Sequence, residues 1–234
     1  MDNIIVIGGT SGLGYSTGLR LAEKGHNVIL AGRSKPKNLG KCLYKSIDVT
    51  SESSVKDFFL GKEIKHIDAL IYSAGISSKR KSIADFNQAS YEKVHDVNVL
   101  GALLTFKYSF KYLKKSKGKV VVINSIAGRS FSKHSGIEYT VTKNGLSGVV
   151  KHLAMDWAQD GILINSIFPS MLDTPMLRKA LSKKKIEDIS DEIPLKRIGS
   201  SDDLFGITEY LISKENTYLT GAGIDINGGQ YLTG

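Results

Sequence analysis

Short apolar runs recur along this chain with helix-patterned segments between them, and that order leaves few folds open. The runs are IIVIG (4–8), NVILAG (27–32), CLYKSID (42–48), DALIYSAG (68–75), KVVVIN (119–124), ILINSIF (162–168) and a last one near 223–226. Largely apolar runs of this length, of which CLYKSID is the weakest, read as strands buried on both faces, the habit of a parallel sheet. Between them the helical stretches are 13–24, 51–60, 90–115, 136–159 and 201–211, while 173–198 is Lys-rich and either irregular or helical. Gly25 is placed to cap the first helix, and Ser51 or Thr50 to start the second. Strand-then-helix order repeated in this way predicts an α/β fold with one doubly wound, mostly parallel sheet and helices on both faces. No composition shift, internal repeat or low-complexity stretch divides the chain.

The turn after the first run, VIGGTSGLG (6–14), sharpens the prediction. Glycines weaken strand and helix interiors, yet here they crowd a strand-to-helix junction at Gly8, Gly12 and Gly14. A helix N-terminus in this context directs unpaired N–H groups and a partial positive charge at a pyrophosphate, and a Cβ at these positions would hold the phosphate away. Residues 1–234 are therefore read as a single Rossmann-type dinucleotide-binding domain. The second strand ends Ala31-Gly32-Arg33-Ser34, with no carboxylate for a ribose 2′-hydroxyl. Gly32 leaves room, Arg33 offers a planar cation for a 2′-phosphate or an adenine face, and Ser34 adds a hydroxyl. This favours NADP(H) over NAD(H).

Bulk composition narrows the setting. Lys and Arg number 32 against 23 Asp and Glu, a formal charge of +9, which fits either an anionic partner or a Lys-rich solvated surface. No helix-turn-helix, zinc-ligand or RNA-binding sheet motif supports nucleic-acid binding. Cys42 is the one cysteine, so an intrachain disulfide and a cysteine-based zinc site are excluded, in keeping with a reducing compartment. The N-terminal run lacks the basic region and length of a signal peptide, and no run reaches the roughly 18 apolar residues of a membrane span. A cytoplasmic protein with no membrane partner is expected. His26, His66, His95 and His152 have no metal-ligand spacing, so no metal site is expected.

SGIEYTVTKNG (135–145) holds Tyr139 and Lys143, four positions apart and so on one helix face. A tyrosine near its reference pKa of ~10 is a poor base at neutral pH, and a nearby ammonium would stabilise its phenolate. Such a pair can exchange a proton with a carbonyl–alcohol couple.

With this pair the chain resembles the short-chain dehydrogenase/reductase family from Gly8 to Gly229, in the family's motif order. IGGTSGLG stands where TGxxxGxG is usual, with Ile7 for Thr, and implies cofactor contacts at Gly8, Thr10, Ser11, Gly12, Leu13 and Gly14. Asp48-Val49 matches the adenine-contacting pair, and Tyr72-Ser73-Ala74-Gly75 occupies the place of NNAG, keeping Ala74 and Gly75. Asn98 in HDVNVLG matches the asparagine of the proton relay, Ser125 in INSIAG the catalytic serine, and Tyr139 and Lys143 the YxxxK pair. Pro169-Ser170 stands for Pro-Gly, Thr174 for the residue that holds the nicotinamide carboxamide, and DINGG (225–229) resembles the C-terminal DGG.

The resemblance implies an oxidoreductase in which Tyr139 donates a proton to a carbonyl oxygen held by Ser125. Lys143 lowers the Tyr139 pKa and grips the nicotinamide ribose, and Asn98 holds a relay water through its backbone. It also implies a homotetramer or homodimer and a substrate lid at about 173–198. Leu146, Val149, Val150, Leu153, Ala154 and Trp157 read as core or a helix–helix seam. Arg129, Lys133, His134, Arg178, Lys179 and Lys183 to Lys185 are candidates for a cationic rim suited to an anionic or carrier-bound substrate. IPLKRIG points to 3-oxoacyl carrier-protein reductases, with a sugar or another small polar ketone also open. The alternative is a non-catalytic dinucleotide sensor or scaffold of the same fold.

Overall fold

The computed structural model describes residues 1–174, 177–178 and 181–232. The order is β1 (Asn3–Ile7), α1 (Gly12–Glu23), β2 (Asn27–Gly32), β3 (Leu43–Ser46), α2 (Glu52–Phe59), β4 (Ala69–Tyr72), α3 (Gln88–His95), a π-helical turn (Asp96–Leu100), α4 (Gly101–Ser116), β5 (Lys119–Ile123), α5 (Ile137–Ala158), β6 (Leu163–Pro169), α6 (Lys183–Glu192), α7 (Ser201–Ile212) and β7 (Gly223–Ile226). The strands form one seven-stranded sheet in the order β3-β2-β1-β4-β5-β6-β7, with each neighbouring pair parallel. The doubly wound reading therefore holds, without an antiparallel strand among the described residues.

The apolar runs work because successive strand residues face opposite sides of the sheet. In β1, Ile5 and Ile7 join Phe58, Phe106, Leu146 and Trp157 beneath α2, α4 and α5. Ile4 and Val6 join Leu21, Leu204 and Phe205 beneath α1 and α7. Each such side chain contributes about 1.5–3 kcal/mol by leaving water. Ile7, where threonine is usual in the resembled motif, is fully buried, so its methyl groups fill this core. Leu146, Val150, Ala154 and Trp157 face inward too, and Trp157 packs on Phe106 and Phe110 with centroids 6.0 and 5.6 Å away. That stripe is core.

Of the two expected caps it is Ser51 that starts α2, accepting from the Ser54 N–H at 3.3 Å. Two boundaries differ from the sequence reading. Strand β4 stops at Tyr72, opposite Ile7, where β1 turns away at Gly8, so Ser73 to Gly75 are loop. The helix expected over 90–115 is broken by the π turn around Asn98.

Strand order reverses at β1, between β2 and β4, and a crevice opens there at the carboxyl ends of the strands. Glycines let the two loops meet. A Cβ on Gly8 (φ +77°) would lie 2.5 Å from the Ala74 nitrogen, and one on Gly14 would lie 2.6 Å from the Gly8 oxygen. Gly8 and Gly14 are thus clearances for backbone against backbone. Gly12 (φ +56°) is the member of the motif whose Cβ would meet nothing within 4 Å. Only there does the phosphate-clearance reading find open space. Gly14→Ala should cost about 1–3 kcal/mol through overpacking, lowering Tm by roughly 2–4 °C per kcal/mol; an unchanged melting curve would refute the packing role.

Candidate active site

A cavity of about 810 Å³ runs from the glycine turn to the start of α5. Gly8, Thr10, Ser11, Gly12 and Leu13 form one end, Arg33, Asp48 and Val49 flank it, and Ala74 and Gly75 form the floor. Tyr139, Lys143 and Thr174 lie on the wall of the same cavity. Three expected cofactor residues stand apart: Gly14 is packed under Gly8, Ser34 is exposed, and buried Pro169 ends β6, all outside the cavity wall.

Ser11 occupies the N-cap of α1 with extended backbone, yet its hydroxyl makes no capping bond. The unpaired first-turn N–H groups of α1 stay directed at the crevice. Gly32 lines the cavity and also makes room for the turn, because a Cβ there would collide with the Thr10 side chain. Arg33 is exposed on the rim and makes no ion pair among the described residues. Asp48 takes the Thr50 N–H at 3.0 Å and its hydroxyl at 2.8 Å through one oxygen. Those bonds to Thr50 hold its carboxyl below the usual range.

At the other end, Lys143 is 4% exposed and donates from Nζ to the Ile123 carbonyl at 3.3 Å. Burial pulls its pKa down to about 8, and no carboxylate offsets this. Asn124 secures its backbone, donating to the Lys143 carbonyl at 3.2 Å and to Ser147 at 3.0 Å. Ser125 caps the short turn Ile126–Gly128, accepting from the Ala127 N–H at 3.2 Å, and lies within hydrogen-bonding reach of Tyr139.

One expectation is corrected here. The Tyr139 phenol is held above its ordinary value, because burial outweighs the Ser125 hydrogen bond that pulls the other way. The Lys143 ammonium is 5.7 Å from the phenol ring centroid and is engaged on Ile123, so it does not offset that burial.

Asn98 is wholly buried in the π turn. Its Oδ1 accepts from the Ile76 N–H at 2.8 Å, while Nδ2 donates to the Ile76 carbonyl and to Thr142 Oγ1, each at 3.0 Å. The side chain thus fixes the loop after β4 against α5, one residue from Lys143. Tyr72 explains the loss of the first NNAG asparagine: its hydroxyl donates to the Val97 carbonyl of the π turn at 2.8 Å. A buried phenol does the tethering.

The cationic rim comes apart. Arg129 is turned away, on Asp225 at 3.2 Å, on the Gly223 carbonyl at 2.6 Å and over the Phe168 ring at 4.0 Å. Arg178 is bound bidentately by Asp173, and Lys179 lies outside the described residues. Lys133 reaches Glu192 on α6 at 3.7 Å. Exposed His134 keeps Lys185 near it, and partial loss of water around its ring, followed by that charge, lowers its pKa. Lys183 pairs weakly with Glu187 at 3.9 Å on its own helix. Instead, Lys79, Lys81 and Lys93 join Arg33 and Lys143 on the cavity wall, five basic groups against the carboxylates of Asp48 and Glu138. Nothing in the sequence marks these three lysines or Glu138, since charged residues in a loop and on a polar helix look solvated.

Among the described residues no cluster of His, Cys, Asp or Glu could hold a metal, and no helix is long and apolar enough to cross a membrane.

Comparison with known proteins agrees with this architecture. A family model described as enoyl-(acyl carrier protein) reductase matches residues 8–230. The 3-oxoacyl-[acyl-carrier-protein] reductase FabG of Buchnera aphidicola subsp. Schizaphis graminum is 31% identical over 241 residues, which cover 98% of this chain and 97% of that protein. The ligand-free aldohexose dehydrogenase of Thermoplasma acidophilum superposes with a TM-score of 0.90 at 27% identity, over 98% of this chain and 93% of that one. ElxO with NADP bound gives 0.90 at 27% identity, over 98% and 99% of the two chains.

Proposed function

The chain belongs to the short-chain dehydrogenase/reductase family, and from that premise we propose that it is an NADP(H)-dependent oxidoreductase interconverting a carbonyl and an alcohol. One observation carries the reading: Tyr139 and the buried Lys143 stand on the wall of the cavity that the open Gly12 turn enters. The residues fit a dinucleotide. The α1 N-terminus suits the pyrophosphate, and Arg33, without an ion pair, suits a 2′-phosphate. Lys79, Lys81 and Lys93 on the cavity wall add positive field.

NADPH, when bound, supplies the hydride. Ser125 donates a hydrogen bond to the carbonyl oxygen and holds it against the phenol. Tyr139 gives that oxygen its proton, a transfer favoured by a phenol kept protonated through burial. Lys143 presents its amine to the ribose end of the cofactor. Asn98 is a positioning residue in this scheme, because both polar ends of its side chain are committed to Ile76 and Thr142. The segment 173–198, of which 175–176 and 179–180 lie outside the described residues, is the substrate lid of this reading, and its helix α6 meets Lys133 through Glu192. The substrate is a 3-oxoacyl thioester, a sugar or another small polar ketone.

Apolar side chains left exposed on α4 and α5, among them Leu103, Val141 and Met155, support a homotetramer or homodimer. The buried free Cys42 suits a cytoplasmic location.

Oxidation of NADPH and NADH against acyl, sugar and steroid ketones tests the proposal. NADPH should be preferred, and Arg33→Ala should weaken NADPH binding by about 10–100-fold through loss of charge-assisted bonds while hardly moving NADH. Tight NADPH binding without turnover of any carbonyl would replace this reading with the sensor.

A further inference from the structure

The buried carboxylate of Glu138 has no part in the scheme above. Glu138 is 6% exposed, sits beside Tyr139 in the first turn of α5, and belongs to the cavity wall. Its Oε2 accepts from the Ser78 hydroxyl at 2.7 Å, and the Gly136 N–H donates to the Ser78 carbonyl at 3.0 Å. Its other oxygen takes no hydrogen bond among the described residues and is not among the sealed polar atoms that lack a partner. Glu138 lines the cavity, and this second oxygen is not sealed from it by any hydrogen-bond donor among the described residues.

The surroundings are built for this side chain. Gly136 has ordinary backbone (φ −70°, ψ 170°), so conformation does not require glycine there. A Cβ at Gly136 would collide with the Glu138 carboxylate and lie 2.5 Å from the Ser78 hydroxyl. The missing side chain makes room for the pair. Nor does Glu138 serve as counter-ion to Lys143, on which burial alone acts. A carboxylate can accept about four hydrogen bonds, and this one has a single donor.

We propose that Glu138 is a specificity residue, its free oxygen accepting a hydrogen bond from a hydroxyl on the carbon next to the substrate carbonyl. The substrate class is then a hydroxylated ketone or aldose rather than an unadorned ketone or a 2-oxo carboxylate, whose charge Glu138 repels. This rests on the oxidoreductase reading and narrows it. A charge-assisted acceptor left unpaired by a deoxy analogue is worth about 10–100-fold in discrimination.

The test uses 2-hydroxycyclohexanone, cyclohexanone and pyruvate as probes. Dissociation constants are measured by calorimetry on NADP⁺-saturated protein, and kcat/KM with NADPH, for the natural chain and for Glu138→Gln. The glutamine keeps an oxygen for Ser78 and turns the free atom into an NH₂ donor. The natural chain should favour the hydroxyketone by about 10-fold or more, and Glu138→Gln should erase that preference and improve pyruvate. Equal preference in both proteins, or none in the natural chain, overturns the inference while turnover of either ketone keeps the oxidoreductase reading. A binding preference without turnover does the reverse. Binding of none of the probes overturns the inference outright.

Discussion

Tyr139→Phe is expected to lower kcat for carbonyl reduction by about 10²–10⁴-fold, the usual contribution of a positioned proton donor. The substitution removes one oxygen from the wall of a preformed cavity, so the melting curve should change little. Burial holds the phenol above its ordinary value. At neutral pH Tyr139 therefore carries its proton and is poised to donate it. Reduction should run without loss until the pH passes the phenol pKa, above about 10. Alcohol oxidation needs the phenolate and should accelerate with rising pH over the same range. Stopped-flow traces in both directions between neutral and alkaline pH check this. Survival of full turnover in Tyr139→Phe, or a reduction rate that climbs with pH, would take the proton-donor role away from Tyr139.

How far the sequence alone foretells such a site depends on what kind of signal each residue leaves. A strand such as β5 is legible because burial on both faces favours a continuous apolar run, whereas β6 carries buried Asn165 and Ser166 inside its run and is read from the strand–helix order around it. The YxxxK spacing is legible because a helix fixes it, and Tyr139 and Lys143 do share the cavity wall. Glycine is ambiguous by nature. Gly8, Gly12 and Gly14 look alike in sequence, yet two make way for backbone and one faces open space. The π turn at Asn98 leaves no trace, since one extra residue per turn hardly disturbs the pattern on either side. Charge is the least legible. Arg129 looked like a rim residue but is drawn to Asp225 and Phe168, strands away, whereas Lys93 looked solvated but borders the cavity. Ion-pair partners distant in sequence are chosen by the fold. Tyr72 shows the same limit: the sequence marks it only as a departure from NNAG, and the structure makes it a tether to the Val97 carbonyl.

Lys143→Met should abolish turnover and yet raise the stability of the ligand-free protein. The amine is almost wholly buried, has one carbonyl partner and no carboxylate, and its pKa falls from 10.5 to about 8. Between those two pH values the unfolded chain holds more protons than the folded one, so stability rises with pH across that window. Below about pH 8 the amine is charged in both states, and the full cost of burying it stands. The gap corresponds to about 3 kcal/mol at neutral pH. Methionine is unbranched, one heavy atom shorter than lysine, and carries no charge into the interior. Its gain is reduced by about 1 kcal/mol, because the Ile123 carbonyl loses its donor. At roughly 2–4 °C per kcal/mol, Tm should rise by several degrees at pH 7, and the advantage should shrink as the pH approaches 10. Calorimetric scans of the two proteins across that range decide the matter. A lower Tm for Lys143→Met at pH 7 would mean that the ammonium is stabilised in place, and the site would not be strained towards a charged or hydroxylated ligand. A higher one identifies Lys143 as a destabilising group whose retention requires a function, which is the mark of a side chain held for the cofactor ribose.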